Sequence, residues 1–557
     1  MRSERSTTVL TWLLLFAFGV SFGLNYGVAN HVFYLLPSLR ALHPELWVND
    51  WVVTKTHHYH AAFGTLAVWM LELDPSGWIF AFANVAAIAG GLGAVWALLK
   101  SLVPPESAKL SLLILLAIAT GTRTNTAGTS YIFSTVFQPN TLGSVGVLVA
   151  SWLLVSERPL ASGIALAVSG LFHANYLVLC GPVFCVAQLA QGRAGLVGRW
   201  LRQLGPPLLV LPLFLPMILA TGSAPVVAEA QRIYQEIRSP HHYRIANFAR
   251  ELLPWFGWQL LGVSAGWAVF RERPAFRKLL GLLLGFWTLI VPSLLLCAVF
   301  VLRPLIQLYP WRLAPNCELL AQAVFAAAMV QRLLSPTEQT RAGRAELALS
   351  LLSLGLIAYG GVVTRQLLPF VIGASTFLLA QLSWLFRASV RAANLRQGLL
   401  PVLVLVLVLA NAGRFSRLPE TSSLLGANRG VRQLCAWLDK NTPLDAVLLT
   451  PPNDEDIRFT CQRATIVDWK TAPMVPKQVI EWLERVEDVT GLKPLRGEAD
   501  LAAYASLHAA RLQYLRHKYG FDYVVATRGH ELQIGVEPAF RGEQFVAYRL
   551  PPADEMH

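Results

Sequence analysis

Residues 1–27, MRSERSTTVLTWLLLFAFGVSFGLNYG, put a basic start ahead of a long apolar run. No small-x-small cleavage site follows, since Phe, Leu, Asn and Tyr occupy that stretch, so the segment reads as an uncleaved first membrane helix. Further apolar runs of spanning character lie at about 77–99, 108–121, 139–156, 160–177, 178–190, 204–222, 254–271, 276–302, 314–333, 347–361, 365–386 and 397–412. Several are shorter than the roughly 20 residues that cross a bilayer. The expected architecture is an α-helical polytopic membrane protein with about 13 spans, range 11–13.

Composition agrees with that first helix. Of 557 residues, 54% are hydrophobic and only 14% charged, against about 25% charged in a soluble domain. A soluble enzyme, a disordered chain and a disulfide-stapled secreted module are excluded. The net charge of +13 belongs to the apolar part: residues 1–413 carry 28 Lys and Arg against 14 acids, whereas 414–557 carry 18 against 19. With the N-terminus inside, 18 of the 28 basic residues fall in inner loops and 10 in the longer outer loops. That is the bias of cytoplasmic loops and not a nucleic-acid footprint. It places the chain in the plasma (inner) membrane with a cytoplasmic N-terminus, an extracytoplasmic C-terminal part and no nucleic-acid partner.

The chain divides at about 413. Residues 1–413 form the membrane part, with two long outer loops at 28–60 and 222–253. Both loops mix aromatics, His, Arg and carboxylates with amphipathic spacing, as helices lying at a membrane surface do. Residues 414–557 read as a small α/β domain with a mainly parallel sheet. GVRQLCAWLDKN, PKQVIEWLERVEDVTG and LHAARLQYLRHKYG are helical, and AVLLTPP, ATIVDW, FDYVVATR and QFVAYRL are strands. This tail has no GxGxxG or GxxxxGK[ST], so a structural or acceptor-guiding role is expected of it. Cys435 and Cys461 either pair, if the tail faces an oxidising compartment, or remain free thiols.

Chemistry at the outer face rests on few residues. Asp50, between Trp47 and Trp51, is the candidate general base, because a base must be a positioned carboxylate or His. The segment IRSPHHYR supplies Arg238, His241, His242, Tyr243 and Arg244, and Arg312 enters an outer-side helix beside two prolines. Arg at a membrane edge is costly unless paired, and guanidinium forks suit phosphate oxygens. These cations therefore read as a lipid-phosphate or diphosphate cradle, with headgroup snorkelling as the other reading. His173 and Asn175, in LFHANYL, are polar residues inside an apolar helix. The polar stretch GTRTNTAGTSYIFSTVFQPNTLG, with Arg123 and Gln138, reads as a cavity lining or as close helix packing. His57, His58 and His60 lack regular ligand spacing, so no metal residues are assigned.

A first helix, a long outer loop with an acid at LWVNDW, many further helices and an outer α/β tail resemble the GT-C superfamily of polyprenyl-phosphate-sugar-dependent membrane glycosyltransferases. FQPNTLG, LFHANYL, IRSPHHYRIANF and WLDKNTPLDAVLLTPPNDEDIRFTCQRATIVDWK look similar to an uncharacterised bacterial branch of it. The resemblance implies that Asp50 is the first-loop catalytic carboxylate, with Glu45 its acidic neighbour. It also implies that Arg238, His241, His242 and Arg312 face the lipid phosphate. The superfamily often carries a paired acidic motif there; here Asn49 precedes Asp50, which leaves a divalent cation an open question. The implied activity is inverting transfer of a sugar from a polyprenyl-phosphate donor to a glycan or lipid-linked acceptor, among membrane lipids and envelope-assembly partners. The alternatives are a non-catalytic GT-C-like component of envelope polysaccharide assembly or export, and an acyltransferase using His173 with Asn175.

Overall fold

The initial apolar run folds as the helix Arg2–Val20. It opens a set of helices in the computed structural model, which describes residues 2–56, 60–121, 126–214, 223–334, 415–426 and 428–551. Trp78–Leu102, Pro105–Gly121, Pro139–Val155, Ile245–Phe270, Pro274–Phe300 and Ala314–Leu334 follow expected spans, whereas Pro159–Phe172 and Ala174–Leu189 divide earlier than the expected 160–177 and 178–190, and Leu196–Val210 overlaps the expected 204–222 only at 204–210. Pro139, Pro159 and Pro274 each stand in a first helical turn, where a missing N–H costs nothing. Among the described residues three helical stretches are long and apolar enough to cross a membrane: Trp78–Leu102, Pro274–Phe300 and Arg303–Gln331. The runs at 347–361, 365–386 and 397–412 lie outside the described residues. An apolar helix at Ala61–Leu73 was not among the expected spans.

Small residues let these helices approach closely, as membrane helices do where side chains must interlock. A Cβ at Gly262 would strike the Ala321 backbone, and one at Gly285 the Val183 backbone. One expectation is corrected: His173 is not inside a helix. It is extended (φ −149°, ψ 104°), ending Pro159–Phe172 and starting Ala174–Leu189. Its N–H still donates to the Ser169 carbonyl and its own carbonyl accepts from the Tyr176 N–H, so the break leaves its backbone satisfied.

Both long loops are helical, as their amphipathic spacing predicts. The first contains His31–Tyr34, Leu36–Leu42 and Trp51–Lys55, and the second Ala224–Arg232, a π-helical turn Ile233–Arg238 and Pro240–Tyr243. The tail rests on both. The Ser423 hydroxyl accepts from Tyr26 N–H at 2.8 Å. Trp47 Nε1 donates to the Arg458 carbonyl at 3.1 Å, and Gln478 Nε2 to the Lys55 carbonyl at 2.9 Å. From the second loop, Tyr234 donates its hydroxyl to the Ala472 and Pro473 carbonyls.

The tail holds five strands: β1 (Val447–Leu449), β2 (Ala464–Thr465), β3 (Tyr523–Thr527), β4 (Phe540–Arg541) and β5 (Phe545–Arg549). Their order is β2-β1-β3-β5-β4. The β1–β2 and β1–β3 pairs are parallel, with Leu448 opposite both Thr465 and Tyr523. The β3–β5 and β4–β5 pairs are antiparallel, so the sheet is mixed where a mainly parallel one was expected. No helix separates β3 from β5, and a parallel return needs a crossover that only a helix-length connection provides. Helices Arg429–Asn441, Pro476–Thr490 and Ala509–Tyr519 match the sequence reading. The short helix Asp456–Cys461 is an addition, and the disulfide Cys435–Cys461 ties it to Arg429–Asn441.

Candidate functional site

Arg312 organises a cluster of polar residues. It lies in the 3-10 turn Pro310–Leu313, held by Tyr309 in a left-handed conformation (φ 56°). Its Nη1 donates to Asn140 Oδ1 at 2.9 Å and to His173 Nε2 at 3.1 Å, and its guanidinium stacks 4.7 Å from the Tyr309 ring centroid. Asn140 Oδ1 also accepts from the Tyr176 hydroxyl at 2.8 Å, which is 2.5 Å from Ser144 Oγ. No carboxylate pairs with Arg312 among the described residues. Arg312 Nε is buried without a partner, Nη2 makes no hydrogen bond there, and His173 Nδ1 is likewise buried without a partner. Nε and Nη2 form the edge with which a guanidinium grips two oxygens of one anion.

The second outer loop reaches this cation through Tyr309. His242 Nδ1 is 2.8 Å from the Gly128 carbonyl and 2.7 Å from Thr129 Oγ1; the carbonyl accepts only from an N–H, so the ring proton is on Nδ1. Burial, with His241 beside it, pushes His242 down to about 3, so it is neutral at ordinary pH. The His241 ring lies tilted 4.2 Å from His242 and is also lowered, by burial and then by Arg238. Tyr243 lies 5.5 Å from Tyr309. Gly128 is indispensable to this contact: its φ is +66°, and a Cβ there would come within 2.6 Å of the Trp311 ring and 2.9 Å of the His242 carbonyl. Arg238 turns instead to the tail, 5.4 Å over Trp469, with Nη2 donating to the Lys470 carbonyl at 3.4 Å.

The first loop and the 126–140 stretch add a neutral rim. Gln138, fully buried, accepts from Asn30 Nδ2 at 2.6 Å and donates to the Tyr131 hydroxyl at 2.9 Å. His60, the described member of the three-histidine stretch, lies 5.0 Å from the His173 ring and 5.1 Å from Tyr34. Sequence reasoning left it unassigned. Asn175 donates to the Leu308 carbonyl at 3.3 Å rather than joining His173, whose Nε2 is taken by Arg312, so the pair an acyltransferase would use is not formed. Arg123 lies outside the described residues.

Asp50 is engaged in a buried ion pair. It is 0% exposed and caps the helix Trp51–Lys55: Oδ1 accepts from Val53 N–H at 3.1 Å. Oδ2 accepts from Arg458 Nε at 2.8 Å and from Thr465 N–H at 3.0 Å. Arg458, 1% exposed, also reaches Asp468 and donates to Thr471 Oγ1 at 2.9 Å. Both oxygens are engaged and sealed from solvent, so the residue expected to be a base is the buried end of an ion pair fastening the first loop to the tail. Glu45 is 56% exposed and pairs with His43 at 3.4 Å, apart from the Arg312 contacts. Among the described residues no three His, Cys, Asp or Glu side chains come together as metal ligands.

A family model described as a domain of unknown function, DUF6798, matches residues 429–489. The chain has no significant match among curated protein sequences. Solved structures are similar along its length. The apo form of ArnT from Cupriavidus metallidurans aligns over 98% of both chains at 17% identity and a TM-score of 0.53. The same enzyme bound to undecaprenyl phosphate aligns over 98% of both at 15% identity and 0.52. The archaeal oligosaccharyltransferase AglB from Archaeoglobus fulgidus, in complex with an inhibitory peptide and a dolichol-phosphate, covers 94% of this chain and 70% of its own at 11% identity and 0.47.

Proposed function

Because the chain has the GT-C fold, we propose that it is a membrane glycosyltransferase moving a sugar from a polyprenyl-phosphate donor to an extracytoplasmic glycan or lipid-linked acceptor. The observation that carries this reading is Arg312: an always-charged group among His173, Asn140 and Tyr309, with its Nε–Nη2 edge unmatched and no carboxylate paired with it among the described residues. A cation placed so is stable when an anion completes it. A lipid phosphate matches that edge in charge and geometry, and the ArnT structure of the same fold was solved with undecaprenyl phosphate.

In this reading the phosphate enters between helices with its lipid in the bilayer, and Arg312 grips two of its oxygens. The acceptor hydroxyl attacks the anomeric carbon from the face opposite the phosphate, inverting it, and the C1–O bond to phosphate breaks. Negative charge then gathers on the leaving phosphate, where Arg312 stabilises it most. The tail, fastened by Asp50 and Arg458, closes the outer side and places Arg238 and His241 where an acceptor approaches. The Cys435–Cys461 disulfide supports an oxidising, extracytoplasmic setting for the tail.

The test is turnover in nanodiscs, following release of polyprenyl phosphate from a panel of polyprenyl-phosphate pentoses and hexoses with glycoside acceptors. Release that requires both substrates supports the enzyme. The engagement of Asp50 by Arg458 favours one rival, a non-catalytic component of envelope assembly that binds the lipid phosphate. That rival predicts binding with no release.

A further inference from the structure

With Asp50 occupied by Arg458, the donor site needs another group to take the acceptor's proton. We infer that His60 is the general base of the transfer, acting through Nε2 on the acceptor hydroxyl; this rests on the glycosyltransferase reading above.

His60 is held as a base is held. Its Nδ1 is 2.9 Å from the Phe172 carbonyl. A carbonyl accepts only from N–H, so the proton is fixed on Nδ1 and Nε2 carries the lone pair. Nε2 has no hydrogen-bond partner among the described residues, and the residue is only partly buried. The ring is wedged edge-on to Tyr34 at 5.1 Å and tilted against His173 at 5.0 Å, the same His173 that accepts from Arg312. Through His173 the ring stands beside the guanidinium proposed to hold the phosphate. The backbone at His60 is left-handed (φ 62°, ψ 43°). His, with Asn and Asp, is among the side chains that adopt that conformation most readily, which fits it to this turn.

The step balances. The acceptor oxygen forms the bond to the anomeric carbon as its proton moves to His60 Nε2. The C1–O bond breaks, and its electron pair leaves on the phosphate held by Arg312. The imidazolium formed then returns its proton to solvent or to the departing phosphate.

Two variants isolate Nε2. His60→Asn tolerates the left-handed backbone and keeps a side-chain donor for the Phe172 carbonyl, but has no base. His60→Gly tolerates the same backbone and leaves room for added imidazole. Both should bind undecaprenyl phosphate like the wild type in nanodiscs, while polyprenyl-phosphate release falls by roughly 10²–10⁴ and is partly restored by imidazole in His60→Gly alone. Site-resolved diethyl pyrocarbonate labelling gives a reading without turnover: His60 should be modified at Nε2 and protected by undecaprenyl phosphate. Turnover retained in His60→Asn, or labelling unaffected by the lipid, overturns the role of His60 while leaving the donor site intact. Wild-type protein that neither binds nor releases any donor overturns the function and the base together.

Discussion

Replacing Asp50 by Asn separates an anchor from a catalyst. In the structure the change removes one of the two carboxylates around Arg458, which is 1% exposed, and leaves Asp468 as the other. Removing one partner of a buried ion pair costs about 3–5 kcal/mol. Asp468 still faces the guanidinium, and the amide introduced in place of the carboxylate would still offer an oxygen to the Val53 or Thr465 N–H, so the lower end, about 3 kcal/mol, applies. For a cooperative unit of 150–250 residues that is a fall of roughly 6–12 °C in Tm. The assay is thermal unfolding of the full chain in nanodiscs, with limited proteolysis reporting release of the tail. Arg458→Met and the double variant complete a cycle. The double variant should be less destabilised than the sum of the singles, because Arg458→Met alone strands two buried carboxylates and the double variant strands only Asp468. An Asp50→Asn protein with unchanged Tm and protease resistance but no sugar transfer would refute the anchor and reinstate Asp50 as the base.

Three further outcomes are expected. Replacing Cys435 and Cys461 by Ala opens a link of 26-residue separation and should cost the tail about 3.5 kcal/mol in the chain-entropy account, read by denaturant unfolding with and without reductant. Gly128→Ala should weaken undecaprenyl phosphate binding roughly tenfold, from about 1–3 kcal/mol of backbone strain and the displacement of His242 and Trp311, measured by lipid titration. Burial pushes the Asp454 carboxyl up to about 6 and Glu455 up to about 7. Folded-state values above the unfolded ones mean the folded tail holds more protons between about pH 4 and 7, so these groups make it less stable as pH rises across that window. Tm measured against pH should show that fall in the wild type and less of it in Asp454→Asn/Glu455→Gln.

The apolar helices were legible in the sequence because each span carries its own signal in length and hydropathy, as Trp78–Leu102 and Pro274–Phe300 do. The tail helices Arg429–Asn441 and Pro476–Thr490 were legible from strong periodicity alone. Arg312 stood out because a charge in an apolar setting must have a reason. The role of Asp50 was hidden because its partner is 408 positions away, in a helix of six residues too short to announce itself. His60 was hidden for the same kind of reason: two neighbouring histidines share its stretch, and the carbonyl that fixes its proton comes from Phe172, 112 positions on. The break at His173, which lets its Nε2 meet Arg312, has no Pro beside it and only Gly170 a turn earlier, within an unbroken apolar run, so its local mark is weak.

The central claim is that Arg312 awaits a lipid phosphate, and the most direct measurement is the affinity of the full chain in nanodiscs for undecaprenyl phosphate, wild type against Arg312→Met. Truncating one partner of a buried charged pair costs about 2–5 kcal/mol, so binding should weaken from roughly 30-fold to several-thousand-fold, with Arg312→Lys in between because it keeps the charge and loses the two-pronged edge. Equal affinity in wild type and Arg312→Met would contradict the account.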